Sequence, residues 1–265
     1  MRTLYIDAGN TFVKMAEYCP PHSHHSVNWH GSTAPEDKGW NFVARLQWEQ
    51  QELEQFFPEN IERYNKIVMV SVRNSKRIAT LLKQGNLKNN AEVIILDHSV
   101  LTQDNCSYKT PKTLGMDRFF SCLGAWSINN QESRTPEGVL VSDAGTACTI
   151  DIMDKKGTFL GGIIMPGHKM VSDTISSRAE NLFDTKVDVP DVVPPDTTEK
   201  AIQLGTHGTF LFAWHAHIEK LSEHYPETSI WLTGGDAEFI LNHSSLKITY
   251  NPFLVFEGMR HYLCK

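Results

Sequence analysis

Ile6-Asp7-Ala8-Gly9-Asn10-Thr11 closes the first apolar run of the chain, and Ser142-Asp143-Ala144-Gly145-Thr146-Ala147 closes another over a hundred residues later. Each is followed by a second apolar run, so each reads as strand, tight glycine turn, strand. Two copies of one hairpin predict two similar lobes facing each other. The turn also has a chemistry. Glycine lets the backbone bend sharply and approach a ligand with no Cβ in the way. The exposed amides and the Asn or Thr side chains can then donate hydrogen bonds to phosphate oxygens. An Asp cannot face a polyphosphate bare, so Asp7 and Asp143 would act through a cation or its waters. One such hairpin is also an ordinary structural turn; two copies favour a two-sided phosphate clamp.

Outward from the hairpins, short β-rich runs alternate with longer amphipathic ones. The pattern predicts strands at Thr3–Ile6, Val13–Tyr18, Lys66–Val72, Glu92–Leu96, Gly138–Ser142, Cys148–Met153, Thr158–Ile164 and Ser229–Thr233. It predicts helices at Trp40–Phe57, Ser75–Gln84, Gly115–Ile128, Lys169–Asn181, Thr198–His224, Asp236–Leu241 and Phe256–Leu263. Strand–helix alternation beside two hairpins gives an α/β fold with mixed sheets. Cys19–Gly39, rich in Pro, His, Ser and Gly, reads as a surface excursion, and Lys186–Asp196 as an extended connector.

At 265 residues, 40% hydrophobic and 21% charged, the chain has room for two lobes with real cores. Its net charge of -6 carries no general affinity for nucleic acid or an anionic membrane. Five scattered cysteines without a CxxC pair argue against zinc ribbons and disulfide frameworks. The N-terminus reaches Asp7 before a signal-peptide apolar region forms, and no apolar run approaches the ~20 residues of a membrane span. The expectation is a soluble, cytoplasmic protein with no nucleic-acid or membrane partner.

Two further clusters bear on chemistry. Leu232-Thr233-Gly234-Gly235-Asp236-Ala237 reads as strand, Gly-Gly, helix, which lets a ligand lie against backbone amides and is equally a plain βα turn. Gly115-Met116-Asp117-Arg118 opens a helix with an acid beside an arginine, a proton acceptor next to a fixed cation. On local grounds first-turn decoration is the simpler reading of that pair. No G-x-x-x-x-G-K-[ST] pattern occurs, which disfavours the P-loop enzymes.

Asp7 to Thr11, Gly115 to Arg118, Asp143 to Ala147, Gly161-Gly162-Ile163-Ile164-Met165-Pro166-Gly167 and Thr233 to Asp236 stand in an order that resembles the type III pantothenate kinases. The likeness runs from Leu4 to about Gly258. It implies two ribonuclease H-like lobes of the actin-like ATPase kind, mixed sheets flanked by helices with a cleft between. The lobes would span residues 1–113 and 114–265, with the last helix free to pack back on the first. It implies ATP-dependent phosphorylation of pantothenate, the first step of coenzyme A synthesis. ATP would meet Asp7, Ala8, Gly9, Asn10, Thr11, Phe12, Val13 and Lys14, with Asp7 near magnesium through water, and Thr146 opposite. Asp117 would be the catalytic base. Tyr108, Gly115, Met116, Asp117 and Arg118 would line the pantothenate pocket, completed by Thr198 from the partner of a homodimer with shared active sites. Asp143 would ligate a monovalent cation, potassium or ammonium.

Two features depart from the family pattern: the histidines around His22, His24 and His25, and the lack of proline in Ser71-Val72-Arg73-Asn74. Relatives of the family have been described as transcriptional accessory factors, so a non-catalytic or moonlighting regulator is the alternative; Asp7, Asp117 and Asp143 together weigh against it. Another kinase or a polyphosphate hydrolase of the same superfamily is a third option. The clustered His22, His24, His25 and His30 read as solvated, Trp40, Phe42, Leu46 and Phe56 as core at helical intervals, and Cys148 as a small buried apolar residue.

Overall fold

The computed structural model describes residues 2–19, 39–48, 51–71, 75–85, 87, 91–132, 137–177 and 182–264. The His-rich stretch and residues 72–74 lie outside these.

β1 (Thr3–Ala8), β2 (Phe12–Tyr18), β3 (Trp40–Gln47), β4 (Lys66–Ser71) and β5 (Glu92–Ile95) form one sheet, ordered β3-β2-β1-β4-β5. β6 (Gly138–Ala144), β7 (Ala147–Met153), β8 (Phe159–Pro166), β9 (Thr228–Thr233) and β10 (Ile248–Tyr250) form the other, ordered β10-β9-β6-β7-β8. Read from β8, the second order repeats the first. The pairing repeats as well: two antiparallel ladders (β1–β2 and β2–β3; β6–β7 and β7–β8) are followed by two parallel ones (β1–β4 and β4–β5; β6–β9 and β9–β10). The two sequence echoes therefore fall at the same place, the first hairpin of each sheet.

The first sheet carries α1 (Gln51–Asn60) and α2 (Ser75–Gln84) on its outer face, where Leu4, Ile6, Met15, Ile67 and Met69 pack against Leu53, Phe57 and Ile78. α3 (Met116–Glu132) follows β5, and α4 (His168–Ser176), α5 (Thr198–Gln203) and α6 (Thr209–His224) follow β8. α7 (Ala237–His243) and α8 (Leu254–Leu263) complete the chain. Phe210, Trp214, Ile218, Phe239 and Ile240 cover the outer face of the second sheet. Between the sheets lie α3 and α8, sharing one core with Tyr5, Val68 and Val70 from the first sheet and Val139, Val141 and Trp231 from the second. Tyr5 facing inward between outward Leu4 and Ile6 is the period-2 alternation of a strand buried on both faces. The two helices cross closely. A Cβ on Gly124 would run into the Leu254 carbonyl, and one on Gly258 into the Phe120 carbonyl.

Two helix expectations need correction. Trp40–Phe57 is not one helix but β3 followed by α1. Trp40, Phe42, Ala44, Leu46 and Trp48 alternate as in a strand, while no Gly or Pro in Trp48-Glu49-Gln50-Gln51 marks where the strand gives way. A bulge opposite Met15/Ala16 shifts the register, so Phe42 packs in the central core while Ala44 and Leu46 pack on the outer one. Thr198–His224 is likewise interrupted by a π-helical turn at Leu204–Gly208, where Gly205 and Gly208 weaken helix propensity. The short edge strand β10 was not anticipated. Among the described residues no helix is long and apolar enough to cross a membrane.

Candidate active site

Each hairpin turn is closed by a glycine amide. The Gly9 N–H donates to the Phe12 carbonyl at 3.0 Å, and the Gly145 N–H to the Ala147 carbonyl at 3.3 Å. The first turn is braced from behind by the Trp48 indole, whose Nε1–H donates to the Gly9 carbonyl at 2.8 Å. The tips then meet: Thr11 Oγ1 and Thr146 Oγ1 are 2.8 Å apart. Asn10 is exposed at the first tip, whereas Ala8 and Val13 belong to the outer core beneath it.

The Gly-Gly turn after β9 locks onto the second hairpin. Asp236 N–H donates to the Ala144 carbonyl at 2.8 Å. Gly234 has φ of 101° and sits where a Cβ would strike Ala144, so two separate demands select glycine there. Gly167, at the end of the β8 motif, donates to the Thr146 carbonyl at 3.2 Å. Motifs scattered along the sequence thus converge on one spot.

Asp7 is buried and stands opposite Lys14 across the β1–β2 ladder, with Lys14 Nζ 3.6 Å from its Oδ2. Burial pushes the Asp7 carboxyl up, against the pull of Lys14. For Lys14, burial alone would depress the ammonium, but the negative charges of Asp7 and Asp143 hold it above its ordinary value. Asp117, in the first turn of α3, accepts the Arg118 backbone N–H at 2.9 Å. Its carboxyl is pushed up to about 7, first by burial and then by Asp7 and Asp143. These three carboxylates and Lys14 therefore sense one another at the junction of the two hairpins.

Arg118 is held elsewhere. Its Nε donates to both carboxylate oxygens of Asp151 at 3.0 Å, and its Nη2 also binds Asp151 Oδ1, a buried forked pair. The Tyr108 and Phe159 rings lie 6.0 and 5.9 Å from the guanidinium carbon. Gly115 lies two residues before Asp117, and the Met116 side chain between them turns into the core between the sheets. Thr198 is exposed at the first position of α5, after Thr197, whose hydroxyl caps the helix by accepting the Lys200 N–H at 3.2 Å. Cys148 is buried, and burial raises its thiol to about 12, so it is no nucleophile at neutral pH. Among the described residues no group of three or more His, Cys, Asp or Glu could hold a metal. Asp151 and Trp48 carry no local motif and were not picked out from the sequence; their roles come from partners 33 and 39 residues away.

Known proteins fit this arrangement. The model of the type III pantothenate kinase family matches residues 3–221. The chain belongs to the type III pantothenate kinase family. The type III pantothenate kinase of Flavobacterium johnsoniae is 27% identical over 259 residues, 97% of this chain and 95% of the relative. That of Phocaeicola vulgatus is 35% identical over 175 residues, 64% of this chain and 69% of the relative. Among solved structures, a Baf family transcriptional activator from Campylobacter jejuni is 25% identical with a TM-score of 0.58, covering 98% of this chain and 97% of that one. MreB5 of Spiroplasma citri, bound to ADP, is 14% identical with a TM-score of 0.51, covering 98% and 95%, a likeness of fold. The actin-like two-lobed fold and the kinase class expected of a type III pantothenate kinase are thereby borne out.

Proposed function

We propose that the protein transfers the γ-phosphoryl group of ATP to the hydroxyl of pantothenate in the cytoplasm, with Asp117 as base. The observation that supports this most is the junction itself: two glycine hairpins face each other tip to tip, and the half-buried Asp117 carboxyl, with its pKa pushed up to about 7, is coupled to Asp7 and Asp143 of those hairpins. The pantothenate hydroxyl proton passes to an Asp117 oxygen as the new O–P bond forms, the bond from the γ-phosphorus to its bridging oxygen breaks, and ADP leaves. A carboxylate at about 7 is a stronger base than an ordinary Asp and still substantially ionised at neutral pH. The hairpin amides, Thr11, Thr146 and Lys14 orient the phosphates, which is most of what a loose phosphoryl-transfer transition state asks of a protein.

Magnesium bound with ATP would offset the charge of the polyphosphate. Such an ion takes one or two carboxylates and completes its shell with phosphate and water, so Asp7 without a protein cage fits it. Asp143, on the second hairpin, offers a hard oxygen for potassium or ammonium. Tyr108, Gly115 and Arg118 line the acceptor side, and Thr198 reaches it from the second subunit of a homodimer. The buried Asp7 and the raised Asp117 favour catalysis over a purely regulatory role, since a scaffold gains nothing from clustering like charges. The test is ADP release followed by a coupled assay with and without pantothenate. ADP formation that requires pantothenate is expected; release independent of it would overturn the assignment of the acceptor.

A further inference from the structure

Arg45 was not singled out by any motif, yet it occupies a particular place. On β3 it stands directly opposite Lys14, which in turn stands opposite Asp7. Asp7, Lys14 and Arg45 therefore form a single row across three strands, on one face of the sheet. Phe12 lies two residues before Lys14 on the same face, and the Arg45 guanidinium carbon sits 4.1 Å from the centre of its ring. That stacking fixes the direction of an otherwise exposed side chain. The guanidinium then reaches the other lobe, where a Cβ on Gly235 would be 3.1 Å from its terminal nitrogen. Its charge is felt by Asp236 in that turn, by Tyr250 on β10 and by Lys14.

Two cations directly opposite on an antiparallel pair repel each other. Asp7 and Asp143 answer Lys14, and Asp236 faces Arg45 from the other lobe. An anion lying between Lys14 and Arg45 would reverse the sign of that encounter. The Arg45 end of this row stands against the Gly235 turn. We propose that Arg45 is a phosphate contact for the bound nucleotide, clasping the polyphosphate of ATP between β3 of the first lobe and the Gly235 turn of the second. This rests on the kinase reading given above.

The experiment compares wild type, Arg45→Ala and Arg45→Lys by calorimetry with MgATP and with adenosine, together with steady-state KM for ATP and for pantothenate. Arg45→Ala is expected to weaken MgATP by about 10- to 100-fold, the range for a hydrogen bond to a charged group, and to leave adenosine unchanged. Arg45→Lys should recover part of the loss, and KM for pantothenate should stay within about twofold, since that site has its own cation. MgATP affinity in Arg45→Ala within twofold of wild type would overturn the proposal, as would an equal loss for adenosine, which has no phosphate. A wild-type chain that binds no MgATP would instead overturn the kinase reading. Because Arg45 is exposed, unaltered thermal unfolding of both variants is the expected control.

Discussion

Thr11 Oγ1 and Thr146 Oγ1, one from each hairpin, are hydrogen-bonded to each other at 2.8 Å. Residues 135 apart in sequence meet this way only because the two hairpins occupy equivalent places in facing sheets. Each hydroxyl can exchange this partner for a phosphate oxygen at small cost. Thr11→Val and Thr146→Val are each expected to raise KM for ATP by roughly 2- to 10-fold, the worth of one neutral hydrogen bond. The double variant should lose less than the product of the two, because the groups share an interaction. Strictly multiplicative losses in steady-state kinetics would show that the hydroxyls act independently.

Asp117→Asn should lower turnover by roughly 10²- to 10⁴-fold, the usual share of a general base. The same change should stabilise the protein. With the folded pKa raised from 3.8 to about 7, the folded state binds the proton more tightly than the unfolded one. Stability from this group is thus full below about 3.8 and falls as pH rises through 7. Without nucleotide or metal, the variant's advantage in Tm should be largest at pH 8 and vanish near pH 4. A variant less stable than wild type at pH 8 would contradict the origin of the shift in burial and like charge. In the wild type, kcat/KM should rise with pH along an acid limb at or below about 7, since bound cations offset Asp7 and Asp143.

The Arg118–Asp151 pair offers a structural counterpart. Asp151→Ala leaves a buried guanidinium without its partner and should cost about 3–5 kcal/mol of stability by chemical unfolding. Asp151→Asn, which can still accept one hydrogen bond, should cost less and raise KM for pantothenate more than KM for ATP. Equal effects on both substrates would mean that the pair serves the fold rather than the acceptor pocket.

If Asp143 holds a monovalent cation, activity should be high in potassium or ammonium buffers and much lower in sodium alone. Full activity in sodium, with trace potassium and ammonium excluded, would remove that role.

Shared sites can be tested by mixing Asp117→Asn and Thr198→Trp chains, each nearly inactive alone. A statistical mixture of a two-fold dimer contains half mixed dimers, each with one intact site, so about a quarter of wild-type activity should return. No recovery despite proven subunit exchange would sink the model.

What could be read from the sequence was what is local. Asp7-Ala8-Gly9-Asn10-Thr11 and its echo declare strand, turn and strand within a dozen residues, and the repeat of the motif carried the repeat of the sheet. Lys14 and Thr146 followed because they stand in or beside those hairpins, whereas Asp117, in Gly115 to Arg118, read locally as first-turn decoration and was marked only by the family resemblance. Asp151, Trp48 and Arg45 did not, because nothing beside them in the chain marks them. Asp151 matters through Arg118 on another element, and Arg45 through a register that places it opposite Lys14. The run from Trp40 misled for a related reason. Its alternation is plain over β3, but it continues without a break into the amphipathic α1, and only pairing with β2 separates the two.

The close crossing of α3 and α8 at Gly124 and Gly258 has a mechanical consequence. α3 touches β4 of one sheet and β6 and β7 of the other, and α8 touches β1, so both lobes grip the same pair of helices. Any rotation of one lobe on the other would use that crossing as its fulcrum. Asp117, in the first turn of α3, is thus carried by an element that both sheets share rather than by either sheet alone.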